Sequence, residues 1–276
     1  MSALRHPNVA GLFYPADART LEAEVRAFVR AGQARAGAAS APRPKALIAP
    51  HAGYVYSGPV AGSAYAQLLA GAAGIRRVVL LGPSHRLPFY GLAYSQARAF
   101  LTPLGQVPVD LAAYQALADL PQARPYEAPF QGEHCLEVQL PFLQMILDDF
   151  SLVPFLVGEA TTTEVAEVLE RLWGGDETLI VVSSDLSHYL DYASAQRLDR
   201  ATSQAIADLD PAAIGDDQAC GRNPVKGLLR AARHHGLQGR ILDLRNSGDT
   251  AGSRDRVVGY GAFAFAPGGS HADPAP

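Results

Sequence analysis

The sequence predicts a single α/β domain with a mixed, mostly parallel central sheet flanked by helices. Three observations carry that prediction. Lys45–Ala49, Arg77–Leu81 and Thr178–Val182 are short, continuous apolar runs that stop abruptly in turn residues, as strands buried on both faces do. Segments with helical periodicity lie between them, the alternation expected of helices packed on a sheet. With 276 residues and no internal repeat, the chain is long enough to bury a core without staples. The domain is expected over residues 1–266, with residues 267–276 (PGGSHADPAP) read as a disordered tail.

From the N-terminus, Asp17–Ala31 reads as a helix, because Leu21, Val25, Phe28 and Val29 share a face. Residues 32–44 are a small-residue loop before the Lys45–Ala49 strand. Asp110–Leu120 is a shorter helical candidate. His134–Phe150 places Leu136, Leu140, Leu143, Ile146 and Leu147 at helical spacing, with Pro141 expected to kink or restart it. Leu152–Val157 reads as a strand, and Pro154 argues for an edge or irregular one. Thr161–Trp173 opens on threonines suited to N-capping and repeats Val165, Val168, Leu169 and Leu172. Ala193–Leu209 and Asn223–His235 are further helices, and Arg240–Leu244 and Val257–Phe265 further strands.

Composition narrows the function. The net charge is −4, against a dedicated nucleic-acid binder. Cys135 and Cys220 are too few for a disulfide framework, so a reducing cytoplasm is expected. The opening MSALRHPNVAG has no apolar stretch of the signal-peptide kind, and no apolar run suits a transmembrane helix. There is no P-loop, HExxH, CxxC or GxSxG motif, and Gly259–Ala264 (GYGAFA) precedes no helix.

The chemistry is positional. Three strands each deliver a histidine just past the carboxyl end: His51 in PHAGY, His85 in GPSH and His188 in SSDLSH. Ligands of open α/β sheets bind outside those ends, so neighbouring strands would bring the imidazoles together. Two histidines with an anionic group suit Fe(II), zinc or copper. Asp185, Glu133 or a cysteine thiolate would supply the anion. His6, His234, His235 and His271 read as surface or hydrogen-bonded residues. His134 and Glu137, three apart, suit either a chelate or a polar helix start. Cys220 precedes a helix that Pro224 would start. It reads equally as a packed residue or as a thiolate stabilised by the helix N-terminus. A hydrolase triad of Ser183 or Ser184 with Asp185 and His188 is disfavoured, since triad members usually come from separate segments.

At these residues the chain resembles the MEMO family, also called AmmeMemoRadiSam system protein B. The blocks are VAGLFYPAD (Val9–Asp17), IAPHAGYVYSG (Ile48–Gly58), LLGPSHR (Leu80–Arg86), EHCLEVQLPFLQ (Glu133–Gln144), VPFLVG (Val153–Gly158), VVSSDLSHY (Val181–Tyr189), CGRNP (Cys220–Pro224) and VVGYGAFAF (Val257–Phe265). Cys135 departs from the serine expected there. The resemblance implies a fold like that of the class III extradiol dioxygenases, called LigB-like. It implies metal ligands at His51, His85 and Cys220, the last in place of a glutamate. It further implies a catalytic His188 beside Asp185, in a pocket lined by Tyr54, Tyr56, Glu133 and His134. One transition metal is expected, Fe(II) or copper ahead of zinc; a thiolate, softer than a carboxylate, favours copper(I) or zinc as well as iron. The substrate would be a small molecule or a peptide. The system name implies association with a radical-SAM protein and another component of that system; from charge and the lack of a long apolar run, no nucleic acid and no membrane are expected as partners. The activity implied is a metal-dependent, dioxygenase-like oxidoreductase. The alternatives are a non-enzymatic metal- or partner-binding module and, behind it, a zinc hydrolase.

Overall fold

The structure is a computed structural model and describes residues 4–36 and 42–268. The strands are β1 (Leu4–Arg5), β2 (Ala46–Ala49), β3 (Arg77–Pro83), β4 (Leu92–Tyr94), β5 (Ala99–Thr102), β6 (Gly105–Pro108), β7 (Ala123–Pro125), β8 (Ser151–Val157), β9 (Thr178–Ser183), β10 (His188–Leu190), β11 (Leu237–Asn246) and β12 (Val257–Pro267). The helices are α1 (Ala18–Ala36), α2 (Tyr54–Tyr65), α3 (Leu140–Ile146), α4 (Thr162–Leu172), α5 (Tyr192–Ala207) and α6 (Arg222–His234).

The main sheet runs β10-β12-β2-β9-β3-β8-β4-β7, with β11 also paired to β12. Its centre, β2-β9-β3-β8, is parallel, while β12 and β4 join it antiparallel. A small second sheet orders β1-β5-β6.

Strand periodicity explains the continuous apolar runs. Leu47, Val78, Leu80, Leu179 and Val181 point into one core, with Leu21 and Val25 of α1, Val60 of α2 and Phe142 of α3. Ile48, Val79, Leu81, Ile180 and Val182 point into the other, with Val165 and Leu169 of α4 and Leu228 of α6. A strand covered on both faces needs no polar alternation. α4 starts as expected, on a capping box in which the Thr161 hydroxyl and the Glu164 carboxylate each accept the other's backbone N–H.

Four expectations are corrected or refined. The Pro154 strand is internal: β8 lies between β3 and β4. The antiparallel ladder to β4 begins only at Phe155, so no bond to β4 is required of the proline. The His134–Phe150 segment divides into a 3-10 turn, Glu137–Gln139, and the short α3, with Pro141 in its first turn. Asp110–Leu120 becomes a 3-10 helix over Leu111–Leu117, with Asp110 accepting the Ala113 N–H. Residues 32–36 continue α1 where a loop is expected. Residues 37–41 and most of the expected tail, 269–276, lie outside the described residues.

Candidate metal centre

Strands β2, β9 and β3 are neighbours, so the three strand-end segments emerge side by side. His51 follows β2, His85 follows β3, and Asp185 and His188 follow β9. A fourth segment, Glu133–Cys135, lies against the end of β3. A Cβ on Gly82 would stand 2.6 Å from the Cys135 sulfur, so the close approach requires glycine.

One ligand nitrogen each from His51, His85 and His134 lies within 4.8 Å of the others. The rings of His85 and His134 are stacked, centroids 5.0 Å apart, and His51 stands edge-on to both at 5.2 and 5.5 Å. His51 is almost fully buried, while His85 opens to solvent. The Cys220 sulfur is 3.3 Å from His51 Nε2. Cys220 and His188 stand outside the 4.8 Å set.

Hydrogen-bond accounting assigns the tautomers. The Ser183 hydroxyl donates to the Cys135 carbonyl at 2.6 Å and accepts from Gln139 Nε2 at 2.8 Å. Its proton is used, so His51 Nδ1, 2.9 Å away, is the donor. His85 Nδ1 donates to Glu133 Oε1 at 2.9 Å, and His188 Nδ1 to the Leu186 carbonyl at 2.8 Å. In the neutral form of all three rings the lone pair therefore lies on Nε2, the form in which imidazole binds metal.

Glu133 holds this side of the site together. Its carboxylate also accepts the backbone N–H groups of His85, His134 and Cys135. Burial pushes this carboxyl up, but the His85 ring and the backbone donors outweigh it and bring it down to about 2. Burial pushes His51 well below the ordinary histidine range, with His85 and His134 adding to the effect. His134 falls to about 4, chiefly through burial, and burial also lowers His188. Burial thus favours the neutral form of His51, His134 and His188.

On the other side, Asp185 Oδ1 accepts the His51 N–H at 2.8 Å, and its own N–H donates to the Cys220 sulfur at 3.3 Å. Burial pushes the Asp185 carboxyl up to about 7 despite the backbone donors of His51 and Ala52 and the nearby His85 ring. Burial, and then Asp185, push the Cys220 thiol up to about 12. This reverses the helix-N-terminus reading: desolvation dominates, and a nearby cation is needed to hold the thiolate. Cys220 precedes Gly221, the N-cap of α6, and Pro224 is the third helical residue rather than the first. A proline N–H is dispensable there too. Gly221 packs against Ser184, where a Cβ would stand 2.7 Å from the serine Cβ.

The remaining residues divide. Glu137 turns away from His134 and binds the N-terminal segment, accepting from Asn8 N, Val9 N and the Tyr14 hydroxyl at 2.6, 2.9 and 2.6 Å. Tyr54 sits in the core, its hydroxyl donated to the Val138 carbonyl and its ring against Phe142. Tyr56 is exposed. Sequence reasoning overlooked Ser183 and Gln139 as orienting groups. It also overlooked Tyr260, a buried residue whose phenol is pushed up by burial and then by Asp185. Cys135 is buried, its thiol on the Pro83 carbonyl.

The central parallel strands of this α/β sheet thus end in converging imidazoles and a buried thiol, a cluster of side chains that could hold a metal ion. A family model described as Memo-like protein matches residues 5–264. A MEMO1 family protein of Archaeoglobus fulgidus is 36% identical over 95% of this chain and 99% of its own length. One of Aeropyrum pernix is 36% identical over 94% and 98%, and one of Aquifex aeolicus 33% over 95% and 99%. The chain belongs to the MEMO family. A crystal structure of an uncharacterized protein of Escherichia coli K12 matches with a TM-score of 0.49 at 12% identity, covering 79% of this chain and 99% of that one. No helix among the described residues is long and apolar enough to cross a membrane.

Proposed function

We propose that this protein is a metal-dependent oxidoreductase of the dioxygenase-like kind, acting on a small molecule or peptide. The observation that supports it most is the set of Nε2 lone pairs freed by hydrogen bonds at Nδ1. The donor set fits a transition metal: His51 and His85 would hold it, and Cys220 would complete the protein ligands. Cys220 is preferred to His134 because its sulfur already touches His51 Nε2 and its burial leaves a cation as the means of keeping it ionised. A mixed imidazole–thiolate set favours iron or copper over harder cations. When bound, such a metal supplies electron transfer and polarisation of a coordinated oxygen atom.

The chain's own residues supply the rest. His188 Nε2, free to accept a proton, serves as acid/base, with the Leu186 carbonyl fixing its ring. Asp185 fixes the His51 backbone and the Cys220 sulfur in one geometry. Glu133 orients His85, and His134 lines the open side beside Phe13, with ring centroids 4.7 Å apart. Tyr56 offers its ring at the exposed rim. A radical-SAM protein and a further component of the same system would be the physiological partners, and the reducing cytoplasm they require would keep Cys220 unoxidised.

Metal analysis of protein purified without oxygen tests the site. Wild type should carry about one transition metal per chain, and His85→Ala and Cys220→Ser should lose it. Equal metal content in all three overturns the assignment. Oxygen consumption with catechols and related phenols tests the activity. A loaded protein that never turns over yet binds a defined partner makes the site a passive metal module instead.

A further inference from the structure

A second constellation of metal-binding residue types stands apart from the strand ends, where the helices α4 and α6 pack together. Glu170 lies in the last turn of α4, His234 is the last residue of α6, and His235 is its C-cap. Glu170 Oε1 is 2.9 Å from His234 Nδ1, and Glu170 Oε2 is 2.8 Å from His235 Nε2. One ligand atom from each of the three residues lies within 4.8 Å of the others.

Adjacent residues on a helix point about 100° apart and do not normally converge. They converge here because the helix is ending: His235 has left helical geometry at ψ 9°, and the two rings present different nitrogens to one carboxylate. The arrangement is also held in place. Trp173 stacks on the His235 ring with centroids 3.9 Å apart and planes 6° apart, and Lys45 Nζ covers the indole at 5.5 Å. Lys45 is itself pinned by the carbonyls of Trp173, Gly175 and Thr178 at 2.6, 2.7 and 2.8 Å. The His235 ring and the carboxylate are thus positioned before any ligand arrives, the requirement for a site of useful affinity.

We propose that Glu170, His234 and His235 form a second, surface metal site that takes one divalent cation of the zinc, nickel or copper(II) class. The ligands are two imidazole nitrogens and a carboxylate oxygen, and the remaining coordination positions face solvent. This donor set suits those ions rather than magnesium or calcium, which prefer oxygen. Each neutral imidazole moves its proton to the outward nitrogen as the cation takes the inward one. His234, with 73% of its side chain exposed, needs no rearrangement to admit the ion. Arg230 and Arg233 line the same groove beside Glu167, and their positive charge sets this site below a fully acidic one in affinity. Bound metal would tie the end of α6 to α4. The site does not depend on the function proposed for the strand-end cluster.

Trp173 is the only tryptophan in the chain, so its fluorescence reports on this site alone. Copper(II) titrated into the full-length protein should quench it saturably, and excess zinc should reverse the quenching by competition. Glu170→Gln and His234→Ala should each raise the quenching midpoint tenfold or more. Both side chains lie outside the two apolar cores, so folding should be retained, as an unchanged thermal midpoint without metal would show. His85→Ala should leave the titration as in wild type, which separates this site from the strand-end cluster. Absence of quenching, or a midpoint in Glu170→Gln and His234→Ala equal to that of wild type, overturns the proposal.

Discussion

Two groups of histidines sit in this molecule with opposite wiring. At the strand ends, His51 and His85 each give Nδ1–H to a fixed buried oxygen, Ser183 Oγ and Glu133 Oε1, and turn Nε2 toward their neighbours. At the helix ends, His234 and His235 face a single carboxylate directly. Residue types are the same, and burial separates their extreme members: His51 is 2% exposed and the His234 side chain 73%, while His85 and His235 are alike at 29% and 30%. What is buried in the first group is His51 and the oxygens behind both rings, Ser183 and Glu133, and a buried polar group without a partner costs about 1–3 kcal/mol. In the second group water replaces any partner removed. Losing the supporting residues should therefore be severe at the strand ends and slight at the helix ends.

The largest effect is expected at Ser183. Its hydroxyl satisfies His51 Nδ1, Gln139 Nε2 and the Cys135 carbonyl together. Ser183→Ala leaves all three without it in a dry interior and frees the His51 ring to change tautomer. Metal affinity should fall about 10–100-fold, the usual cost of losing a group that orients a ligand. Stability should drop by about 1–3 kcal/mol. Calorimetric titration and denaturant melts measure the two. A variant that binds metal as wild type does would show that the tautomer is set elsewhere.

How far the sequence disclosed this arrangement depends on range. The β2, β3 and β9 strands were legible because burial on both faces leaves unbroken apolar runs, and the point where each run stops located His51, His85 and His188. Helix α2 was not legible: Gly58, Pro59 and Gly62 argue locally against a helix, and what favours it is tertiary, since Gly58 and Gly62 lie directly on Phe28 of α1. Pro154 misled for the matching reason, because one residue cannot reveal that its neighbouring strand ends short of it. His134 enters the imidazole group through the contact of Cys135 with Gly82 and through Glu133, and neither leaves a periodic signal. The pair His234–His235 was visible as two adjacent letters. Its partner Glu170 lies 64 and 65 positions away and is joined to it only by helix packing.

An intermediate effect is expected at Glu133, and pH sharpens it. Its carboxyl sits at about 2 in the folded protein against an ordinary 4.5. Below-normal affinity for the proton means that the unfolded chain binds it more readily, so ionised Glu133 stabilises the fold. That contribution is fully present above the ordinary value of 4.5 and is lost as pH falls toward about 2. Glu133→Gln keeps the shape but removes the charge. The gap in stability between wild type and this variant should be constant near neutral pH and close in acid. Melting curves from pH 7 to pH 2 test this, and a gap that stays constant through the acid range would assign the role to shape alone.

The smallest effect is expected at Glu170, where the contrast is most exposed to refutation. Without metal, Glu170→Gln removes a partner from two solvent-accessible histidines. Surface ion pairs contribute about 0–1 kcal/mol and are screened by salt, so the stability change should fall within that range and shrink as salt is added. The amide keeps one acceptor oxygen, and water reaches the other ring. Trp173 should remain stacked on His235, since that contact rests on the ring faces rather than on the carboxylate. Denaturant melts at low and high salt, read by Trp173 fluorescence, measure both quantities. A loss as large as that of Ser183→Ala would mean that the helix-end cluster is wired as tightly as the buried one, and that exposure is not what separates them.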